Sequence, residues 1–253
     1  MHGVTPDVWI VIPARNESRR LPATLERLAS FLDDHRDHGV VVAVDAHSTD
    51  DTAEIATEFA DRVPRARSVS AVGGSKWLAT LDGVRVCDPG VVVTADADLS
   101  VPPDAFGGLV EAARSGALAI GSREIDGAAR LGEPLGRRVL SRVFNGVVRA
   151  VALPRLRDTQ CGFKAFGRDL GLDLLERVSV RGWAFDVELL ALARSEDVPV
   201  VEVPVRWTYR PGGSVRPLRD APSVAWDLWS IRRRYGRSPG QAPGEARERR
   251  TRR

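Results

Sequence analysis

The sequence predicts an α/β fold, a mainly parallel sheet with helices on both faces. Short, wholly apolar, β-branched runs recur at residues 8–12, 40–44 and 91–93. Stretches with apolar residues at helical spacing separate them, and a polar cluster follows each run. Parallel strands covered on both faces read as continuous apolar runs. Strand–helix alternation is the signature of such a sheet.

The elements follow in order. Residues 8–12 form a first strand, ended by Pro13 and Asn16. Leu21, Leu25, Leu28 and Leu32 then recur at i, i+4, i+7 and i+11, an amphipathic helix. Residues 40–45 are a second strand. Ser48, Thr49, Asp50, Asp51 and Thr52 are N-cap types that open a helix carrying Ile55 and Phe59. Residues 67–72 make a weaker third strand and 75–86 a helix. Residues 91–95 are a fourth strand, ending in Asp96-Ala97-Asp98. A helix with Phe106, Leu109 and Val110 leads to a fifth strand at 118–121.

The second half is less regular. Leu140, Phe144, Val147, Val148 and Val151 make a helical stripe, and 158–167 reads as a loop and strand. Residues 183–194 form a helix with Phe185, Leu189 and Leu192 inward. From 200 to 209, Val201, Val203, Val205 and Trp207 alternate with Glu202, Arg206 and Thr208, a half-exposed strand. Residues 222–235 are a last helix. From 237 to 253, Pro, Gly, Arg and Glu follow without periodicity, a disordered basic tail.

Composition narrows the function. The 253 residues are 43% hydrophobic and 28% charged, which excludes a fully disordered or collagen-like chain. Two cysteines, Cys87 and Cys161, cannot make a disulfide framework and fit a reducing, cytoplasmic compartment. Cys161 has no neighbouring base in sequence and reads as buried packing. His2, His35 and His38 read as surface residues, and His47 lacks metal-ligand partners in sequence. No basic, apolar and cleavage pattern of a signal peptide opens the chain, and no run approaches the ~20 apolar residues that span a bilayer. The net charge of +3 hides an asymmetry. From Arg232 to the end there are nine arginines and two glutamates, so the body is acidic in balance and is not a nucleic-acid reader. Of 37 basic residues only Lys76 and Lys164 are lysine.

In open parallel sheets, ligands bind beyond the carboxyl ends of the strands. Residues 13–17, 45–51, 96–98 and 121–123 all fall there. Asp96 and Asp98, two residues apart where strand geometry ends, can converge on one hard cation such as Mg²⁺ or Mn²⁺. A Ser/Asp-rich helix N-terminus explains residues 48–51, but not Asp45 at the strand end.

These clusters resemble the family 2 glycosyltransferases of GT-A fold. The matching stretches are PARNE (13–17), VDAHSTDDT (44–52), SKWLATLDG (75–83), DAD (96–98) and GSR (121–123). In the second half, RRVLSRVFN (137–145), DTQCGFKAFGR (158–168), GWAFDVELL (182–190) and VEVPVRWTYRPGGSV (201–215) are similar to polyprenol-phosphate hexosyltransferases. The dolichyl-phosphate β-glucosyltransferases stand first among these, and the dolichyl-phosphate mannose synthases next.

The resemblance implies a single GT-A domain over 1–236, with a nucleotide-sugar half at about 1–123 and an acceptor half at about 124–236. It implies metal-dependent, inverting transfer of a hexose, glucose before mannose, from a nucleotide sugar to a polyprenyl phosphate. Pro13, Glu17, Asp45 and Lys76 fall on the nucleotide side, with Glu17 and Asp45 at the nucleoside. Asp96 and Asp98 hold Mg²⁺ or Mn²⁺ and the diphosphate, Asp98 the more directly. Arg123 and Arg138 meet the acceptor phosphate; Asp158, Gln160 and Lys164 line the sugar and acceptor side; Trp183, Asp186 and Glu188 face the donor sugar. Were the acceptor a hydroxyl, a carboxylate base would be needed, and Asp186 is the candidate.

The chain departs from the family pattern in two places. Ala46-His47 stand where relatives carry Asp-Gly, and Ser75-Lys76-Trp77 where they carry Gly-Lys-Gly. Trp77 therefore either narrows the nucleoside pocket or packs inward. A glycosyltransferase acting on a soluble metabolite in a biosynthetic pathway is one alternative reading, and a non-catalytic sugar-nucleotide-binding protein another. The last helix carries Trp226, Trp229 and Ile231 ahead of Arg232, Arg233 and Arg234. It either docks on the inner face of a membrane, with the tail extending the basic patch, or packs on the domain.

Overall fold

The computed structural model describes residues 5–182, 184–211 and 217–236. Trp183 and the tail from 237 to 253 lie outside the described residues. The first half alternates β1 (Val8–Ala14), α1 (Leu21–Asp34), β2 (His38–Asp45), α2 (Thr52–Arg62), β3 (Ala66–Ala71), α3 (Lys76–Arg85), β4 (Val91–Thr94), α4 (Phe106–Arg114) and β5 (Leu118–Ser122). The second half adds β6 (Ala129–Leu131), α5 (Leu135–Val151), β7 (Lys164–Gly167), α6 (Arg168–Arg177), α7 (Phe185–Ser195), β8 (Val200–Pro204), β9 (Arg206–Thr208) and α8 (Pro217–Tyr235).

Seven strands form one sheet in the order β3-β2-β1-β4-β7-β5-β8. All neighbours are parallel except β7, which runs antiparallel between β4 and β5. Because β7 is reversed, its first residue lies level with the ends of the others. Lys164 pairs with Thr94 on one side and Ile120 on the other. β6 and β9 form a separate two-stranded parallel sheet.

Successive residues of the central strands feed opposite faces, as the pleat requires. On one face Ile10, Ile12, Val42, Val93 and Ala165 pack on α1, α2 and α4 through Leu21, Leu28, Phe59, Phe106 and Leu109. On the other, Trp9, Val11, Val41, Val92, Ile120 and Phe166 pack on α3, α6, α7 and α8 through Leu81, Leu174, Leu189 and Ile231. Both faces are covered, which is why the strands carry no polar alternation.

Several readings of the sequence are corrected here. Pro13 does not end β1: it stays in register opposite Ala43. Helix α6 was not readable as a separate element. The run 200–209 is two strands in different sheets, and Val201 faces solvent because β8 is a sheet edge. Along α5, Leu140 and Val147 face outward. His38 is buried with its ring edge-on to Phe31, and His35 stacks on the same ring at 3.9 Å. Ile231 is buried, whereas Trp226 and Trp229 are exposed. Trp77 packs inward: only 8% of it is exposed, and its Nε1–H donates to the Leu175 carbonyl at 2.9 Å.

Candidate active site

The loops after β1 and β2 are tied to one another. Thr52 Oγ1 accepts from the Glu17 amide at 2.8 Å, and Asp50 accepts from the Ser18 and Thr52 amides at 3.1 and 3.2 Å. Burial alone pushes the Asp50 carboxyl up, but its hydrogen bonds outweigh that and bring it down to about 2. Asn16 adopts a left-handed φ of 54° and accepts from the Thr49 amide at 2.8 Å. The acidic cluster that reads as a cap in sequence therefore fixes two loops of the rim.

Asp45, at the end of β2, is buried. One carboxylate oxygen accepts from the His47 amide at 2.8 Å and the other from the Gly74 amide at 3.0 Å. Burial raises its pKa, and these donors with Arg15 at 3.9 Å more than reverse the shift. A side chain at Gly73 would collide with His47 and Asp45, so the approach requires glycine there. Glu17 makes a two-pronged ion pair with Arg20, both contacts at 2.7 Å. Its carboxyl is raised from the ordinary value, by burial first and then, against the opposing pull of Arg20, by the carboxylates of Asp98 and Asp96.

At the end of β4, Asp98 Oδ1 accepts from the Ser100 amide at 2.9 Å and its hydroxyl at 2.8 Å, which fixes the turn. Asp96 is met by the Lys76 ammonium from the first turn of α3, itself capped by Ser75. Burial works to raise the Asp96 carboxyl; Lys76, then Lys164 and Arg123, outweigh it and lower the pKa. Gly162 is needed beside this group, because a Cβ there would fall 2.3 Å from Asp96 Oδ2.

Lys164 is buried, with its ammonium 2.6 Å from Asp186 Oδ1 and donating to the Cys161 carbonyl at 2.7 Å. A narrow cleft is lined by Pro13, Lys76, Thr94, Lys164, Phe185 and Asp186. Asp186 is thus brought into the cleft, but as the partner of Lys164. Glu188 is not in the cleft, and the sequence expectation for it is corrected. Two residues on along a helix, it turns to the opposite side. It is fully buried and accepts from the Ser179 and Val180 amides at 2.8 and 2.6 Å, from Arg234 at 2.9 Å and from Tyr235 at 3.2 Å. Its role is to lock α8 onto α7.

Arg123 follows β5. Its Nε and Nη2 donate to Asp158 at 2.6 and 2.9 Å, and its amide donates to the same carboxylate at 3.0 Å. Asp158 is fully buried, and its three contacts fix the orientation of Arg123. Burial raises the Asp158 carboxyl, and Arg123 reverses this and holds it low. Glu202, which the sequence did not single out, fixes the loop by accepting from the Arg157 and Asp158 amides at 2.9 Å each. Gln160 Nε2 and, on α5, Arg138 Nε are buried without a hydrogen-bond partner among the described residues. Cys161 is buried and its thiol is pushed up to about 11 by desolvation, which removes it as a nucleophile.

The donor set fits a divalent cation in part. Among the described residues no group of three His, Cys, Asp or Glu side chains could hold a metal. Asp96 and Asp98 supply hard oxygens at one turn, and Lys76 already seats a positive charge on Asp96. Two carboxylates are an incomplete set, which a ligand's own phosphates would complete.

A mainly parallel sheet with carboxylates and lysines gathered on its rim defines an α/β transferase of GT-A type. The chain belongs to Glycosyl transferase family 2, whose profile matches residues 9–171, and it is a glycosyltransferase. It is 32% identical over 246 residues to a dolichyl-phosphate β-glucosyltransferase of Drosophila melanogaster, covering 90% of this chain and 75% of that one. It is 31% identical over 247 residues to the polyprenol monophosphomannose synthase of Mycolicibacterium smegmatis, covering 93% and 91%. Its fold matches glucosyl-3-phosphoglycerate synthase from Mycobacterium tuberculosis, solved with Mn²⁺, UDP and phosphoglyceric acid. There the TM-score is 0.64 and the identity 21%, over 93% of this chain and 80% of that one.

Proposed function

We propose that the chain transfers a hexose, glucose in preference to mannose, from a nucleotide sugar to a polyprenyl phosphate at the cytoplasmic face of a membrane. The observation that carries this reading is the Lys76 ammonium on Asp96 at the end of β4, with Asp98 in the same turn. Asp96 and Asp98 are the residues that would hold Mg²⁺ or Mn²⁺. Such an ion neutralises charge developing on a departing nucleoside diphosphate. Glu17, Asp45 and Pro13 belong to the nucleotide side of the rim.

In this reading an acceptor phosphate oxygen attacks the anomeric carbon as the bond to the diphosphate oxygen breaks, with inversion. A phosphate is ionised at neutral pH, so no strong base is required. This agrees with Asp186, whose carboxylate is committed to Lys164 at 2.6 Å. What the acceptor needs is fixed positive charge. Arg123, clamped by Asp158, and Arg138, with a buried unpaired Nε, have that character.

The test is a panel of uridine and guanosine diphosphate sugars, reading released nucleoside diphosphate with and without polyprenyl phosphate. Release should rise with the lipid phosphate, require Mg²⁺ or Mn²⁺, and fall by about 100-fold or more in Asp98→Asn. Stimulation by a soluble phosphorylated metabolite and none by the lipid phosphate would refute the acceptor. Full activity of Asp98→Asn in chelator would refute the metal assignment.

A further inference from the structure

Arg130 lies in β6, in register opposite Trp207 of β9. Its side chain is only 2% exposed. Nη1 donates to Glu133 at 2.8 Å; Nη2 donates to Glu124 at 2.6 Å and to Ser141 Oγ, on α5, at 3.3 Å. The Glu133 side chain is buried as deeply, at 3% exposed. Taking these charges out of water gains little over an apolar cluster of the same volume, so the network is a poor device for stability alone. Its place in the fold points to another use.

Glu124 directly follows Arg123, and Glu133 directly precedes the Pro134 cap of α5, the helix that carries Arg138. The Arg123 guanidinium lies 5.4 Å over the Trp207 ring, so β6 and β9 form the floor beneath it. Burial works to lower the Arg123 pKa; Asp158 reverses this and Glu133 adds to the reversal, so Glu133 is within electrostatic reach of Arg123. Two carboxylates beside the arginines assigned to a phosphate are a liability. Unpaired, they would repel a phosphate monoester, which carries about −1.5 to −2 at neutral pH, and would compete for its guanidiniums. The other contacts to these acids are longer: Arg142 meets Glu124 at 3.4 Å and Arg137 meets Glu133 at 4.0 Å, both from exposed side chains. Asp158 takes Nε and Nη2 of Arg123, which leaves Nη1 outside the clamp, and Arg138 Nε has no partner among the described residues.

We propose that Arg130 is a positioning residue for the acceptor: it holds Glu133 and Glu124 off Arg123 and Arg138, so that these guanidiniums stay open to the acceptor phosphate. The proposal rests on reading Arg123 and Arg138 as the acceptor-phosphate residues. It goes further in naming what keeps them available. Arg130 itself touches no reacting group and acts through the acids it occupies.

The test is a double-variant cycle on the full chain, with a short, water-soluble polyprenyl phosphate as acceptor and saturating donor. Arg130→Gln should raise the acceptor KM about tenfold or more, with kcat changed less and nucleotide affinity by calorimetry unchanged. Arg130→Gln/Glu133→Gln, which removes the stranded carboxylate, should return the acceptor KM to within about threefold of wild type. Arg130→Lys should fall between, since one ammonium cannot serve both acids. If Arg130→Gln does not fold, the double variant decides alone: its acceptor KM should match that of Glu133→Gln. An acceptor KM raised equally in the single and double variants would overturn the proposal, because a packing role gains nothing from losing Glu133. So would an unchanged acceptor KM in Arg130→Gln, or a loss of nucleotide affinity in its place. Use of a soluble phosphate ester in place of the lipid phosphate, with the same pattern across the cycle, would strike the lipid reading and leave the role of Arg130 standing.

Discussion

Replacing Asp158 by alanine strands Arg123. In the folded protein the two form a three-contact clamp at 2.6 to 3.0 Å, with Asp158 fully buried and Arg123 nearly so. Removing one partner of a buried pair leaves an uncompensated charge and costs about 3–5 kcal/mol. Unfolding entropy scales at roughly 2.1 cal/mol/K per residue. For a chain of 253 residues this converts the loss into a fall in Tm of about 6–10 °C. Arg123→Ala/Asp158→Ala removes the stranded charge and should be less destabilised than the two single losses added together. Turnover should show the same coupling, the double variant being no slower than Arg123→Ala, if Asp158 acts only through Arg123. The pair also has a pH signature. The folded Asp158 carboxyl is depressed below its ordinary 3.8, so its stabilisation is fully present above that value and is lost as pH falls through the folded value. Wild type should therefore lose more stability than Asp158→Ala between neutrality and pH values below about 4. Thermal melts of the four proteins at neutral and acid pH decide the matter. A shift under 2 °C for Asp158→Ala, or additive losses of turnover, would refute the clamp.

Three further outcomes follow from the same geometry. Arg138→Ala should raise the acceptor KM or lower kcat while calorimetry finds nucleotide affinity unchanged; lost nucleotide affinity would move Arg138 to the donor side. Trp77→Ala should cost about 3–5 kcal/mol, because it empties a buried site and unpairs the Leu175 carbonyl, and should leave preference between uridine and guanosine donors unaltered. Glu188→Gln should loosen α8, seen as faster hydrogen exchange in residues 223–236, with donor KM little changed; the reverse result would return Glu188 to the cleft.

What the sequence makes legible follows from short-range physics. Val8, Ile10, Ile12, Val40, Val42 and Val93 announce buried strands because a sheet covered on both faces admits nothing polar. Asp96 and Asp98 announce a rim because they follow such a strand. β7 is legible as the strand that closes 158–167, but its reversed direction is not, because that is set by neighbours distant in sequence. The role of Asp158 is hidden for the same reason: its partner lies 35 residues away. Helical periodicity marks two apolar sides on α5 but does not say which meets the body. At Glu188 the period itself was informative, since residues two apart on a helix cannot share a face with Asp186.

The reversed strand β7 also constrains the order of assembly. β5 has no partner in the first half of the chain: its neighbours are β7 and β8. While residues 1–123 are being synthesised, β4 and β5 both present open edges, and neither closes until Lys164 to Gly167 emerge. Late pairing of this kind gives slow, non-local folding with an adhesive intermediate. Residues 1–123 expressed alone should therefore aggregate, and a chain cut after residue 123 should recover only when β7 is supplied together with β8.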